Sequence, residues 1–193
     1  MSFQHALAFV LRWEGEWADH PHDPGGATMR GITLATYTQW RLQQGRKKPT
    51  KEDLRNISEE EMQTIYRAGY WDKCRCDELP AGLALLVFDM AVNAGPARAV
   101  RLLQATVGEV QDGIIGPRTV AAAATFYAVG PSVLFAEYSA RRAHYYGGLS
   151  TFKTFGLGWL RRAFACQAEA MRLVTREALL IERGNVLAPT FKE

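Results

Sequence analysis

The stretch SFQHALAFVLRWEGEWADHPHDPGGATMRGIT, residues 2–33, decides the start of the fold because its pattern changes character half-way. Apolar residues first recur at the spacing of an α-helix, which Ser2 can cap, and this apolar stripe ends in a carboxylate at Glu14. The part after Gly15 is rich in Gly, Pro and Asp, which favours a loop or hairpin. We therefore expect a first helix that ends at Gly15 and one small β-hairpin element near residues 17–33.

Helical periodicity dominates the rest of the chain, so the predicted fold class is mainly α. Helix starts and ends are indicated by capping residues, among them a capping box of Ser58 and Glu61, and by Gly-Pro pairs. Residues 45–54 are expected to be a charged surface connection, and residues 147–158 a loop. The further helices are predicted from Thr33 to about Gly45, after Ser58, after Pro80, from Pro96 to Gly108, over residues 119–126, from Pro131 to Tyr146, and from Trp159 to about Arg183.

The composition is that of an ordinary globular domain. Of the 193 residues, 48% are hydrophobic and 22% are charged, which excludes wholesale disorder. No apolar run reaches the length of about 18 residues that a membrane-spanning helix needs. The three cysteines are an odd number without a C-x2-C pair, which argues against a disulfide framework and for synthesis in a reducing compartment.

Charge is distributed unevenly along the chain. The net charge is +3, and residues 134–193 carry nine basic but only five acidic side chains. The net value alone does not argue for nucleic acid, which is not expected as a partner. The predicted C-terminal helix carries a row of arginines, either a solvated face or a surface that attracts anionic envelope polymers and lipid head groups. They are Arg161, Arg162, Arg172, Arg176 and Arg183.

Glu14 is the first candidate for catalysis. A carboxylate on an apolar stripe near a helix C-terminus is expected to be partly desolvated, which favours the protonated form that a general acid requires. Asp23 follows in a polar loop that should keep it charged, and the hydroxyl of Thr28 could hold a water or orient Asp23. Two carboxyl groups in unlike environments suit glycosidic bond cleavage. The plainer alternatives are a rim residue for Glu14 and a turn residue for Asp23.

The segment around these residues resembles a known enzyme family. The string W-E-G-E-W-x5-D-P-G-G-A-T-x-x-G-I-T, residues 13–33, is similar to the signature of glycoside hydrolase family 108. That family comprises phage-type N-acetylmuramidases, including endolysins and secretion-associated muramidases. Its catalytic glutamate lies in an E-G-G segment that maps onto Glu14, and this chain has Glu16 where the second glycine is usual. The resemblance also carries Asp23 and Thr28 over as catalytic residues.

The resemblance extends to about residue 165. An aromatic segment at residues 66–71 and the motifs L-P-A-G-L, F-D and N-A-G between residues 79 and 95 continue the enzyme family. The motifs A-V-R-L-L-Q, D-G-I-I-G-P-R-T and G-W-L-R-R are similar to a predicted peptidoglycan-binding segment usually fused to it, although a helix-starting turn explains the second motif equally well. The implied regions are a muramidase catalytic region (residues 1–95), a peptidoglycan-binding region packed into the same globule (residues 96–165), and a C-terminal helix and tail (residues 166–193).

The resemblance implies a lysozyme-like helical fold that hydrolyses the β-1,4 bond between N-acetylmuramic acid and N-acetylglucosamine in bacterial peptidoglycan, without metal or cofactor. Whether Asp23 attacks the sugar or activates a water is left open, because that depends on the separation of the carboxyl groups. The alternative is a non-catalytic or vestigial wall-binding module of a phage tail or secretion apparatus. No signal peptide is visible, so we expect a monomer made in the bacterial cytoplasm that acts on the wall after release by another route.

Further residues are candidates for substrate binding. Trp17, Tyr70 and Trp71 could stack on sugar rings, although most aromatics at helical spacing are core residues. Asp89 and Asn93 share one face of a core helix, where they either line the sugar cleft or form a structural hydrogen-bond network.

The sequence H-x-H-D at residues 20–23 is similar to a metal cluster. A catalytic zinc needs three supported protein ligands, and no partner motif is evident, so exposed loop histidines are favoured.

Overall fold

The computed structural model describes residues 2–19 and 26–182, and the mainly helical fold class is confirmed. The described chain divides into two compact units, one of Ser2–Lys73 and one that begins at Cys74. None of the helices in the described ranges combines the length and the apolar character that crossing a membrane requires.

The first unit opens with helix α1 (Phe3–Leu11), whose cap is the predicted one, because the Ser2 hydroxyl accepts the His5 N–H at 3.3 Å. The helix ends four residues before Gly15. Its last turn tightens as the Trp13 N–H donates to the Val10 carbonyl at 2.9 Å, and Glu14 follows in a bend. The prediction that Glu14 lies on the helix stripe is therefore wrong.

The predicted β element is confirmed, but it has three short strands in place of a single hairpin. Strands β1 (Trp17–Ala18), β2 (Thr28–Met29) and β3 (Ile32–Thr33) form an antiparallel sheet in that order. Between β2 and β3 lies a two-residue turn in which Arg30 and Gly31 both have positive φ, 45° and 77°. Two positive φ angles are the mark of a type I′ hairpin turn, in which glycine is favoured.

Three short helices complete the first unit, α2 (Leu34–Gln43), α3 (Lys51–Arg55) and α4 (Glu59–Tyr66), followed by a π-helical turn (Arg67–Trp71) and a 3-10 turn (Asp72–Cys74). Helix α3 lies where a surface connection was expected, since Thr50 and Asp53 form a complete capping box. The box predicted at Ser58 is only half formed. Ser58 accepts the Glu61 N–H, but the Glu61 carboxylate binds Tyr37 at 2.9 Å and Arg46 at 2.6 Å.

The second unit is built around one helix that is buried on all sides. A 3-10 turn (Cys76–Glu78) leads into helix α5 (Ala81–Ala94), in which residues 82–91 are all buried. Around α5 pack α6 (Pro96–Val107), α8 (Pro131–Gly147) and α9 (Phe152–Glu182), and α7 (Pro117–Val129) packs on α6 and α8. The approach is close at Gly82, where a Cβ would lie 2.5 Å from the Phe135 ring and 2.8 Å from the Ala170 carbonyl oxygen.

Helix α9 begins at Phe152, so the prediction of a loop over residues 147–158 and of a helix start at Trp159 is wrong. The glycines that suggested a loop lie inside the helix. A Cβ on Gly156 would lie 2.6 Å from the Phe152 ring, one helical turn earlier, so the glycine makes room for this aromatic side chain. Arg183, the predicted end of this helix, and the tail that follows it lie outside the described residues.

Candidate active site

Glu14 lies beside the turn that joins β2 to β3. The backbone N–H of Arg30 donates to the carbonyl of Glu16 at 2.9 Å, which ties the segment after α1 to this turn. A Cβ built on Gly31 would lie 2.9 Å from Oε2 of Glu14, so the carboxylate rests directly against the glycine. The side chain is half-buried. The turn, and not the helix, thus positions the candidate acid.

Two tyrosines complete this environment. The hydroxyl of the buried Tyr66 donates to the Arg30 carbonyl at 2.7 Å, and a Cβ on Gly31 would lie 2.5 Å from that hydroxyl. The Tyr70 ring is tilted against Tyr66 with the centroids 5.7 Å apart. Burial raises the pKa of Tyr70, and the negative charge of Glu14 raises it further. We call Glu14, Gly31, Tyr66 and Tyr70 the Gly31 cluster.

Gly31 and Tyr66 were not among the site residues predicted from the sequence. Both lie in motifs that the sequence displays, Gly31 in the G-I-T end of the signature and Tyr66 in the aromatic segment. The signal that could have found Gly31 is the hairpin itself, because a tight two-residue turn demands positive φ and leaves no Cβ to separate the turn from its neighbours.

The other two predicted catalytic residues are placed only in part. Thr28 lies in β2, opposite Ala18, and its hydroxyl donates to the Gly26 carbonyl at 3.1 Å. Asp23 lies outside the described residues.

The two tryptophans predicted to stack on sugar rings, Trp17 and Trp71, differ in how deeply they are buried. Trp17 in β1 is half-buried, and the Arg55 guanidinium lies 5.6 Å from the centroid of its ring. Trp71 is only 1% exposed and packs edge-on against Phe3, with the ring centroids 5.5 Å apart. The burial of Trp71 disagrees with the prediction that it stacks on a sugar, because its ring belongs to the core of the first unit.

Asp89 is fully buried between two arginines of the second unit. Its Oδ1 accepts from Nε of Arg162 at 2.8 Å, and its Oδ2 lies 2.7 Å from Nη2 of Arg142. Burial is the largest single influence on the pKa of Arg142 and acts to lower it, but the charge of Asp89 and the smaller contributions of Tyr146 and Cys166 together raise this pKa. Asp89 therefore takes the structural alternative and cannot line a cleft. Arg162, being buried here, is also not part of an exposed arginine row.

Asn93, one turn after Asp89, belongs to the same network. Its Oδ1 accepts the Tyr146 hydroxyl at 2.7 Å, and that hydroxyl in turn accepts from Nε of Arg142 at 2.8 Å. The side-chain carbonyl of Asn93 thus links α5 to α8, which matches the structural alternative. The Asn93 side chain is half-buried.

No group of three or more His, Cys, Asp or Glu side chains suited to a metal ion occurs within residues 2–19 and 26–182. The predicted loop histidines, His20 and His22, lie outside those ranges. All three cysteines lie among the described residues; they are buried, and none forms a disulfide.

Known proteins match this chain over most of its length. Residues 7–95 match the family model described as Glycosyl hydrolase 108, and the solved structure of SagA from Brucella abortus is 40% identical. The two structures superpose with a TM-score of 0.77 over 89% of this chain and 94% of that one. The chain belongs to glycosyl hydrolase family 108. Residues 98–164 match a second model, a predicted peptidoglycan domain. No curated protein matches.

The family 108 segment and the compact units do not share a boundary. The segment ends at residue 95, whereas the first compact unit ends at Lys73. Helix α5 thus belongs to the family 108 segment by sequence and to the second unit by packing. All four residues of the Gly31 cluster lie within the family 108 segment, in the first unit.

Proposed function

We propose that this family 108 protein is an N-acetylmuramidase that uses Glu14 as general acid to hydrolyse the β-1,4 bond between N-acetylmuramic acid and N-acetylglucosamine. The observation that carries the proposal is the position of the Glu14 carboxylate within the Gly31 cluster. The half-buried carboxyl group rests against the backbone of the turn, which shields it from water on one side, as a proton donor to a sugar oxygen needs to be.

The proposed reaction needs little beyond this group and a second carboxylate. Glu14 gives its proton to the glycosidic oxygen, and the bond from that oxygen to C1 of the muramic acid breaks. The hydroxyl of a water molecule ends on C1, and the remaining proton of that water passes to a carboxylate, so that Glu14 is protonated again for the next cycle. Asp23 steadies the positive charge that develops at C1 and either attacks C1 or activates the water. The Thr28 hydroxyl donates its hydrogen to the Gly26 carbonyl, and its oxygen has lone pairs that could accept a hydrogen bond from that water.

The proposed setting is lysis of the bacterial wall by an endolysin that is made in the cytoplasm and reaches the wall by a separate release route. The predicted peptidoglycan domain at residues 98–164 supports the wall as the partner. The alternative, a wall-binding module without activity, makes no use of the carboxylate held against Gly31.

An anionic envelope surface is proposed as a second contact, through the outer face of α9. That face combines exposed arginines, Arg161 and Arg172, with exposed apolar side chains, Leu157 at 64% and Phe164 at 56%. Such a mixture favours adsorption to anionic lipid head groups, and salt should weaken it. Sedimentation with anionic vesicles, with and without Arg161→Gln and Arg172→Gln, measures this contact.

The test of the enzymatic proposal compares two neighbouring carboxylates. Glu14→Gln should lower the release of reducing ends from purified peptidoglycan by at least about 100-fold, because the general acid is lost. Glu16→Gln, an exposed carboxylate two residues away, is the matched control and should retain activity. Borohydride reduction and mass analysis of the products should give muramitol ends.

Glucosaminitol ends would refute muramidase action, and equal activity of Glu14→Gln and the parent would refute the role of Glu14. A parent protein that binds peptidoglycan but releases no reducing ends would be the wall-binding module.

A further inference from the structure

A groove with a volume of about 510 Å³ runs between α6 and α8 in the second unit. Helix α6 contributes Arg98, Leu102 and Ala105, which are spaced so as to share one face of the helix. Helix α8 contributes Glu137, Ala140, Arg141 and His144, again on one face, and Tyr145 beside them. Ala105 and Ala140 are small residues among longer ones, and their short side chains leave the space that forms the groove.

The walls of this groove are fixed. The buried Tyr138 of α8 donates its hydroxyl hydrogen to the Ala99 carbonyl of α6 at 3.2 Å. Each of these two residues directly follows a lining residue in the sequence, Glu137 and Arg98. Burial raises the pKa of Tyr138, so this donor keeps its proton. Sites on packed helices are held more accurately than sites on loops, and they lose less entropy on binding.

The groove carries an excess of positive charge. Arg141 lies 3.8 Å from Glu137, a loose pair on the exposed surface, and His144 is exposed nearby. The guanidinium of Arg98 lies 4.7 Å from the centroid of the Tyr145 ring, which orients it. Within the ranges that the structure describes, no carboxylate forms an ion pair with Arg98. Two guanidinium groups and a single carboxylate, that of Glu137, therefore line a groove whose other side chains include Leu102, Ala105 and Ala140.

We propose that this groove binds the stem peptide of peptidoglycan through the free carboxylates of the peptide. The inference rests on the proposed function only in taking the bacterial wall as the substrate. Guanidinium groups recognise carboxylates through short charge-assisted hydrogen bonds, and the apolar lining residues Leu102, Ala105 and Ala140 suit alanine methyl groups. Every residue that lines the groove also lies within the predicted peptidoglycan domain, residues 98–164.

The same geometry favours the peptide over the glycan. Sugar rings bind by stacking on open aromatic faces, but Arg98 already covers one face of Tyr145, and Tyr145 is the aromatic ring that lines the groove. In intact peptidoglycan the lactyl group of muramic acid is amide-linked to the peptide, so the carboxylates that two arginines could bind there belong to the peptide.

The test is a titration of the isotope-labelled full chain with the free tripeptide L-Ala-γ-D-Glu-diaminopimelate, followed by NMR. This peptide has no glycosidic bond, so its binding is independent of catalysis. We expect shifts confined to residues of α6 and α8 that line the groove. The double variant Arg98→Gln, Arg141→Gln should bind at least about tenfold more weakly, because two charge-assisted contacts are lost. Arg118→Gln, 85% exposed on α7, is the control and should bind as the parent does.

The inference would be overturned by shifts at residues outside the groove, by an unchanged affinity in the double variant, or by equal binding of a tripeptide whose carboxylates are amidated. A groove that responds to peptide-free glycan strands and not to the tripeptide would overturn it as well.

A digestion experiment separates this inference from the proposed function. The double variant should show a raised KM on intact peptidoglycan and parental rates on peptide-free glycan strands, whereas Glu14→Gln should lose activity on both. A double variant that loses activity equally on both substrates contradicts a stem-peptide site.

Discussion

The carboxylate of Glu14 and the backbone of Gly31 are in such close contact that no side chain fits between them. The contact exists because Gly31 occupies a positive-φ position of a tight turn, where it both shapes the backbone and leaves the space of a missing Cβ. The placement of the candidate acid thus depends on a glycine that carries no chemistry of its own.

Replacing Gly31 by alanine should therefore damage activity more than stability. The new Cβ would displace Oε2 of Glu14 and the Tyr66 hydroxyl, and a shift of about 1 Å in a catalytic group costs about 100-fold in rate. Gly45→Ala is the matched control, because Gly45 has a similar φ of 69° but nothing within 4 Å of its added Cβ. Backbone strain should cost both variants about 1 kcal/mol of stability, measured by urea unfolding. Gly31→Ala should lose about 1 kcal/mol more, because the Tyr66 hydroxyl is displaced from the Arg30 carbonyl. Equal activities of the two variants would contradict the contact.

The titration of Tyr70 should report the charge of Glu14. In the folded protein the pKa of Tyr70 is raised by burial and then by Glu14, so Glu14→Gln should lower it while leaving it above the ordinary value of about 10. NMR of labelled tyrosines against pH measures this, with Tyr70→Phe for assignment. Glu16→Gln should leave the titration of Tyr70 unchanged. If the pKa of Tyr70 stays the same or rises in Glu14→Gln, the charge of Glu14 does not raise it and the expected interaction is contradicted.

The raised pKa also fixes the sign of a stability effect. The neutral hydroxyl of Tyr70 is favoured by folding, so its contribution is fully present below about pH 10 and is lost as the pH rises through the folded-state pKa. The loss of stability between neutral and strongly alkaline pH should therefore be smaller in Tyr70→Phe than in the parent.

Asp89→Asn should destabilise the protein without a direct effect on chemistry. The substitution leaves Arg142 and Arg162 buried without their counter-charge, and breaking a buried ion pair in this way costs about 3–5 kcal/mol. Asp72→Asn, which removes an exposed partner of Arg67, should cost about 0–1 kcal/mol. Chemical unfolding measures both. A variant of Asp89 with parental stability and a raised KM would return this residue to the sugar cleft.

The two tryptophans predicted to bind substrate should behave differently. Trp71→Ala should cost about 3–5 kcal/mol of stability, because its ring fills the core against Phe3. Trp17→Ala, at a half-buried position, should leave most of the stability intact and raise the KM for peptidoglycan. A stable Trp71→Ala protein with a raised KM would contradict the assignment of Trp71 to the core.

Elements that depend on neighbouring residues could be predicted from the sequence. The cap at Ser2, the hairpin region and the helix starts at Pro96 and Pro131 follow from local backbone chemistry, and the structure has them in these places. The arrangement of the site could not be predicted in this way. Glu14 was assigned to a helix that ends before it, because spacing alone does not show where tertiary packing stops supporting a turn.

The remaining differences have the same origin. Gly156 suggested a loop, but the ring of Phe152 over it makes glycine fitting inside a helix. Asp89 allowed two interpretations, because its partners Arg142 and Arg162 lie far along the chain and only the fold brings them together. A single sequence shows that a buried carboxylate needs a partner, but it does not show which one.

The double membership of helix α5 limits how such proteins can exchange parts during evolution. Recombination between residues 95 and 98 would join an α5 from one parent to α6, α8 and α9 from another. At Gly82 the α5 of one parent would then have to fit against α8 and α9 of the other, where there is no room for a larger residue. A crossover near Lys73 would keep the helix with the neighbours that cover it. New wall-binding parts are therefore expected to be inherited together with their own α5, and chimeric enzymes made in the laboratory should be joined at the same place.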